Sequence, residues 1–146
     1  MITAKSRTGY GYWIENGATS LWESFKDKDE PYTDSKNHHF LGDISSWFIQ
    51  ELAGLKPNQK VDDIRYFEIS PHFIDELDYA KAYYESPFGR VSVIWTRNEK
   101  TIKLDVSMPD GTYGKVVLND GYSFENEDAV ADLNGGEYSF VIKNNV

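Results

Sequence analysis

The sequence contains no cysteine, which excludes disulfides, zinc–thiolate sites and thiol nucleophiles. No apolar run approaches the ~18 residues that a membrane-spanning helix needs. The N-terminal stretch "MITAKSRTGYGYWIEN" also lacks the apolar core of a signal peptide, so the expected location is cytoplasmic by default. Positive charge is scarce. Lysine and arginine number 15 against 24 aspartates and glutamates, giving a formal charge of −9, and no basic cluster longer than a pair offsets it. A phosphate backbone or an acidic lipid surface would be repelled, so neither nucleic acid nor membrane is expected as a partner. Low-complexity tracts and internal repeats are absent too.

What is present is a globular composition of 146 residues, enough for about one domain or a small domain plus a piece of another. Aromatic residues make up 15% of it, with ten tyrosines, eight phenylalanines and four tryptophans. Flat rings of this kind pack cores, and they also stack on sugars.

The hydrophobic period changes near Pro57. Before it, Phe40, Ile44, Trp47, Phe48, Leu52 and Leu55 recur at helical spacing and predict an amphipathic helix, starting either late with Asp43 or Ser45 as its cap or nearer His39, with Gly54 and Pro57 as stop signals. "GATSLWESF" (Gly17–Phe25) predicts a shorter helix with Gly17 as the break before it. "TGYGYW" and the charged stretch Lys26–Lys36 predict loops. After Pro57 the period is two: in "TIKLDVSMP", Ile102, Leu104, Val106 and Met108 alternate with polar residues. "IRYFEIS", "RVSVIWTR", "GKVVLN" and "GEYSFVIK" are also strand-like, separated by the turn signals "SPFG", "RNEK", "PDGT", "NDG" and "NGG". The expected fold is α+β: a helical piece over residues 1–57, followed over residues 58–146 by an antiparallel β-sandwich of about five or six strands. Two helices with aromatic stripes cannot cover one another, so the helical piece resembles the end of something larger, and its exposed face invites self-association.

The residues with chemical potential lie in the first piece. Glu23 follows Trp22 and precedes the pair His38–His39. A carboxylate beside an indole and imidazoles suits a general base, while a solvent-facing helix glutamate is the plainer alternative. The histidine pair, with Glu23, Asp34 or Asp43, also raises the possibility of a metal. However, neighbouring side chains on a helix diverge by about 100°, which disfavours one ion held by both. No metal and no cofactor are expected. Tyr10, Tyr12 and Trp13 sit in a glycine-broken segment open to a ligand, and Trp47 and Phe48 lie on the apolar stripe and read as core.

"GYGYWIENGATSLWE", followed by "SKNHHFLGDISSWFIQELAGL", resembles the end of the catalytic domain of bacterial α-L-rhamnosidases, glycoside hydrolase family 78. "YAKAYYESPFGRVSVIWTR" and "LNGGEYSFVI" are similar to that family's C-terminal sandwich. Two positions depart from the family pattern: Lys36 stands where arginine is usual, and Leu41 where an aromatic residue is usual. The resemblance implies that residues 1–57 end an (α/α)6 barrel and that hydrolysis inverts the anomeric centre by means of two carboxylates roughly 6.5–9.5 Å apart. It further implies that Glu23, in Leu-Trp-Glu, is the general base, that His39 contacts the sugar, and that the general acid lies upstream in barrel sequence outside this chain. Glu23 is therefore the expected catalytic residue, and His39, His38, Trp22, Trp13 and Tyr12 are the expected substrate-binding residues, for rhamnose-containing glycosides. Three classes of function follow: a C-terminal glycosidase fragment inactive alone, a freestanding carbohydrate-binding sandwich, or a subunit completing a site supplied by another chain.

Overall fold

The computed structural model describes residues 3–25, 34–57, 62–99 and 101–145. It divides into two compact units, residues 1–45 and 46–146. Most of the loop expected over Lys26–Lys36 lies outside the described residues.

In the first unit, helix α1 spans Tyr10–Glu15 and occupies the stretch expected as a loop. The glycines that suggested a loop serve close approach instead. A Cβ on Gly9 would lie 2.2 Å from the Ala4 carbonyl oxygen, and one on Gly11 would lie 2.7 Å from it. The helix stops where Asn16 N–H donates to the Tyr12 carbonyl (3.1 Å) and Gly17 adopts φ +77°. Beyond it, Gly17–Phe25 is not helical. Its backbone bonds go across the chain, with Glu23 N–H donating to Ser35 O and His38 N–H to Leu21 O, each at 2.8 Å. The hydroxyls of Ser20 and Ser24 donate to the Lys36 carbonyl and the Asp34 carboxylate respectively. Bonds to this distant segment replace helical ones, which is why the apolar spacing misled here.

The predicted long helix is also shorter and differently wound. Residues 39–43 form turns, α2 covers Ile44–Trp47, and a π-helical turn covers Phe48–Leu52. The wider turn shifts the stripe: Leu52 is buried and Trp47 packs on the core, but Phe48 is 40% exposed, against the expectation of a core position. Gly54 (φ +82°) ends the helical stretch, and a Cβ there would sit 2.2 Å from Pro71 N. Leu55, counted on the helical stripe, is instead the first residue of strand β1.

The second unit is a curled seven-stranded sheet, which bears out the α+β expectation. Its strands are β1 Leu55–Pro57, β2 Tyr66–Ile69, β3 Tyr79–Ser86, β4 Gly89–Arg97, β5 Thr101–Val117, β6 Tyr122–Phe124 and β7 Val130–Asn144. The order is β1-β2-β5-β4-β3, with β7 also pairing β5 and β6. All pairs are antiparallel except β2 with β5, which run parallel. Ile102, Leu104, Val106 and Met108 are all buried, as their alternation predicted, and they join Trp95, Phe67, Val91, Val93, Leu133 and Ile142 in one core. The indole N–H of the fully buried Trp95 donates to the Leu52 carbonyl at 3.0 Å.

"PDGT" and "NGG", which read as turns between strands, lie inside β5 and β7. They face one another across the ladder, where the register shifts between Met108↔Gly136 and Tyr113↔Asn134. Both long strands bend together at this bulge. The first half of β5 then pairs with β4 and the second half with β2, so one strand serves both sides of the curled sheet. Among the described residues no helix is long and apolar enough to cross a membrane.

Asp63 fastens the approach to β2. Its carboxylate accepts from the Arg65 guanidinium (2.9 and 3.0 Å), the Arg65 backbone N–H (3.0 Å) and the Tyr113 hydroxyl (2.8 Å). These bonds, the Arg65 guanidinium first, hold its pKa far below the usual carboxylate range. A depressed folded pKa contributes stability that is present above the unfolded value, about 3.9, and lost as pH falls through and below it. Asp63→Asn should therefore be less stable than the parent in urea at neutral pH, with the difference shrinking steadily below about pH 4. A difference constant from neutral pH down to acid would remove the charge from this account.

Candidate active site

Glu23 sits on an irregular two-segment crosslink in which residues 20–24 run beside residues 34–38. Besides its backbone bond to Ser35, its Oε2 accepts the Ser35 N–H at 2.9 Å, and the residue is exposed. One segment thus fixes both the main chain and the carboxylate of Glu23, while the residue stays open to an incoming molecule. On the same crosslink, the Lys36 ammonium lies 5.5 Å from the Trp22 ring centroid, within cation–π range.

Trp22, at 7% exposure, is part of an aromatic cluster. Trp13, at 2%, is its centre: it stacks on Phe25 (4.5 Å between centroids, 21° between planes), meets Tyr10 edge-on (5.2 Å) and lies 6.1 Å from Trp22. The Tyr10 hydroxyl donates to the Leu41 carbonyl at 3.1 Å, tying α1 to the turn that follows the histidines. The rings before and after Glu23, Trp22 and Phe25, are therefore both held by α1. Sequence reasoning had Trp13 and Tyr10 open to a ligand, took Lys36 only as a departure from the family pattern, and did not single out Phe25 or Ser35.

His38 and His39 stack with their planes 7° apart and centroids 5.3 Å apart. The divergence expected of helical neighbours does not apply, because these residues stand in irregular backbone rather than a helix. The Phe40 N–H donates to His38 Nδ1 at 3.2 Å, which leaves Nε2 to carry that ring's proton when it is neutral. His38 is half-buried and His39 exposed, and Tyr12 is half-buried on α1. Among the described residues no group of three or more histidine, aspartate or glutamate side chains is arranged to hold a metal ion.

The model of the bacterial alpha-L-rhamnosidase 6 hairpin glycosidase domain matches residues 1–52, and that of the bacterial alpha-L-rhamnosidase C-terminal domain matches residues 54–129. This chain belongs to the bacterial α-L-rhamnosidase family. An alpha-L-rhamnosidase of Alteromonas sp. (strain LOR) is 32% identical in an alignment of 104 residues that covers 67% of this chain and 11% of the relative. One from Streptomyces avermitilis is 28% identical in an alignment of 122 residues that covers 80% of this chain and 12% of that protein. The chain thus spans about a ninth of the length of these relatives. Among solved structures, the alpha-L-rhamnosidase of Dictyoglumus thermophilum superposes with a TM-score of 0.83 at 25% identity, over 98% of this chain and 18% of that one. The Streptomyces avermitilis enzyme complexed with L-rhamnose gives a TM-score of 0.80 at 24% identity, over 97% of this chain and 15% of that chain, and supports the same fold. The family's two regions meet between residues 52 and 54, where the π-helical turn gives way to β1.

Proposed function

We propose that this chain supplies the general-base half of an inverting α-L-rhamnosidase site, with Glu23 as the base. The observation that carries the reading is the Glu23 carboxylate itself, exposed yet fixed through Oε2 by the Ser35 N–H, two residues ahead of the His38–His39 stack's neighbour Asn37. In an inverting reaction such a carboxylate takes a proton from the water that attacks the sugar on the face opposite the departing oxygen. In this reading His39, exposed beside His38, donates to sugar hydroxyls, Tyr12 adds a further sugar contact, and Trp22 and Trp13 pack beside the base. The partner carboxylic acid, which protonates the leaving group, belongs to barrel residues outside residues 1–57. Residues 58–146 then act as the sandwich appended to that barrel.

The chain alone is accordingly expected to be inactive. General acid help contributes about 10²–10⁴-fold, and orienting walls contribute more. Purified protein incubated with an alkyl or aryl α-L-rhamnoside should release no product above the uncatalysed rate. Turnover approaching that of an ordinary enzyme would show that the site is complete without a barrel, and would sink the half-site reading.

A further inference from the structure

Trp13 is too buried to lie against a sugar, at 2% exposure, yet it touches the residues on both sides of the candidate base. Its ring stacks on Phe25, two residues after Glu23, and lies 6.1 Å from Trp22, the residue immediately before it. Tyr10, one turn earlier on α1, closes the edge of the same cluster against both Trp13 and Phe25. The segment these rings grip has no helix to hold it. Among the described residues, the crosslink to residues 34–38, the Arg7 Nε–H donating to the Phe25 carbonyl at 3.4 Å and this aromatic contact together fix where Glu23 stands. The Trp13 Nε1–H is buried and has no hydrogen-bond partner among the described residues.

We infer that Trp13 is a positioning residue for Glu23: α1 presents its indole as a plate against which Trp22 and Phe25 are pressed, setting the place of the carboxylate between them. This rests on the reading of Glu23 as the base and assigns a role the base alone does not explain. A small misplacement of a catalytic group costs about 10²-fold in rate while leaving sugar contacts elsewhere in place. Loss of the plate should therefore appear in kcat, with KM little changed.

The test uses the full chain joined to the remainder of a six-hairpin domain, such as that of the Alteromonas relative, and an activated aryl α-L-rhamnoside. Trp13→Leu should lower kcat by about 10²-fold. Trp13→Phe, which keeps a flat ring against Phe25, should restore most of it. The deciding measurement is a double-mutant cycle. In a Glu23→Ala background rescued by azide there is no carboxylate left to position, so adding Trp13→Leu should change the azide-dependent rate by no more than about twofold. If Trp13→Leu costs the same factor in both backgrounds, or raises KM along with lowering kcat, or unfolds the joined protein, then Trp13 is a structural core residue and the inference is overturned while the role of Glu23 stands. If Glu23→Ala is itself fully active, the base assignment fails first, and that result is read from a different variant.

Discussion

Replacing Glu23 by alanine in a chain joined to a complete barrel is expected to reduce turnover by several orders of magnitude while sugar binding stays largely intact. The lost interaction, proton transfer from the attacking water, develops mainly in the transition state, so kcat and kcat/KM should fall together with little change in KM. The backbone crosslink of Glu23 to Ser35 does not involve the side chain and should survive the substitution, keeping the segment in place. Azide sharpens the result. It needs no deprotonation and fits the space the carboxylate vacates, so it should restore turnover of an activated aryl rhamnoside and yield the inverted β-rhamnosyl azide. An α-azide product would indicate double displacement instead. Full activity of the Glu23→Ala protein without azide would return Glu23 to a solvated surface position.

Gly114→Ala should be the most damaging single-methyl change in the sheet. Gly114 lies on β5 opposite Phe67 in the parallel pair with β2, and a Cβ there would fall 1.8 Å from the Phe67 carbonyl oxygen. That oxygen is backbone, so no rotamer change relieves the contact; β2 has to separate from β5, uncovering Phe67 and Ile69, both fully buried. The expected cost is roughly 3 kcal/mol or more, beyond the usual range for overpacking. Gly111→Ala is the control. Gly111 sits on the bulge at φ +82° with nothing within 4 Å of its would-be Cβ, so only backbone strain of about 1–2 kcal/mol is at stake. Urea unfolding of the full chain, followed by far-ultraviolet circular dichroism of the sheet, separates the two. A Gly114→Ala midpoint within experimental error of the parent would show that β2 does not depend on this approach.

The strand alternation of β5 was legible because a half-buried sheet forces every second residue inward, and Ile102, Leu104, Val106 and Met108 obey it without exception. Glu23 and the histidines stood out as candidates for a different reason: chemistry restricts which side chains serve, and their order along the chain matched a known family. The secondary structure around them was not legible. "TGYGYW" looked like a loop because glycine is permissive, yet Gly9 and Gly11 are there to let α1 approach Ala4, a need that exists only once the chain has folded back. "GATSLWESF" looked helical by spacing, but its hydrogen bonds go to residues 35–38, which local pattern does not reveal.

Residue type, period and order were enough for the class of fold and the family, and they singled out Glu23 as the candidate base. How the Glu23 carboxylate is held and how the sheet curls came from tertiary contacts. Trp13, an apparent ligand-facing ring, is buried against Phe25 and Trp22, and two apparent turns, "PDGT" and "NGG", became one shared irregularity because β5 and β7 pair across it. Each of those outcomes is set by contacts between residues distant along the chain, where the close approach of backbone and ring faces outweighs the local preference of either segment.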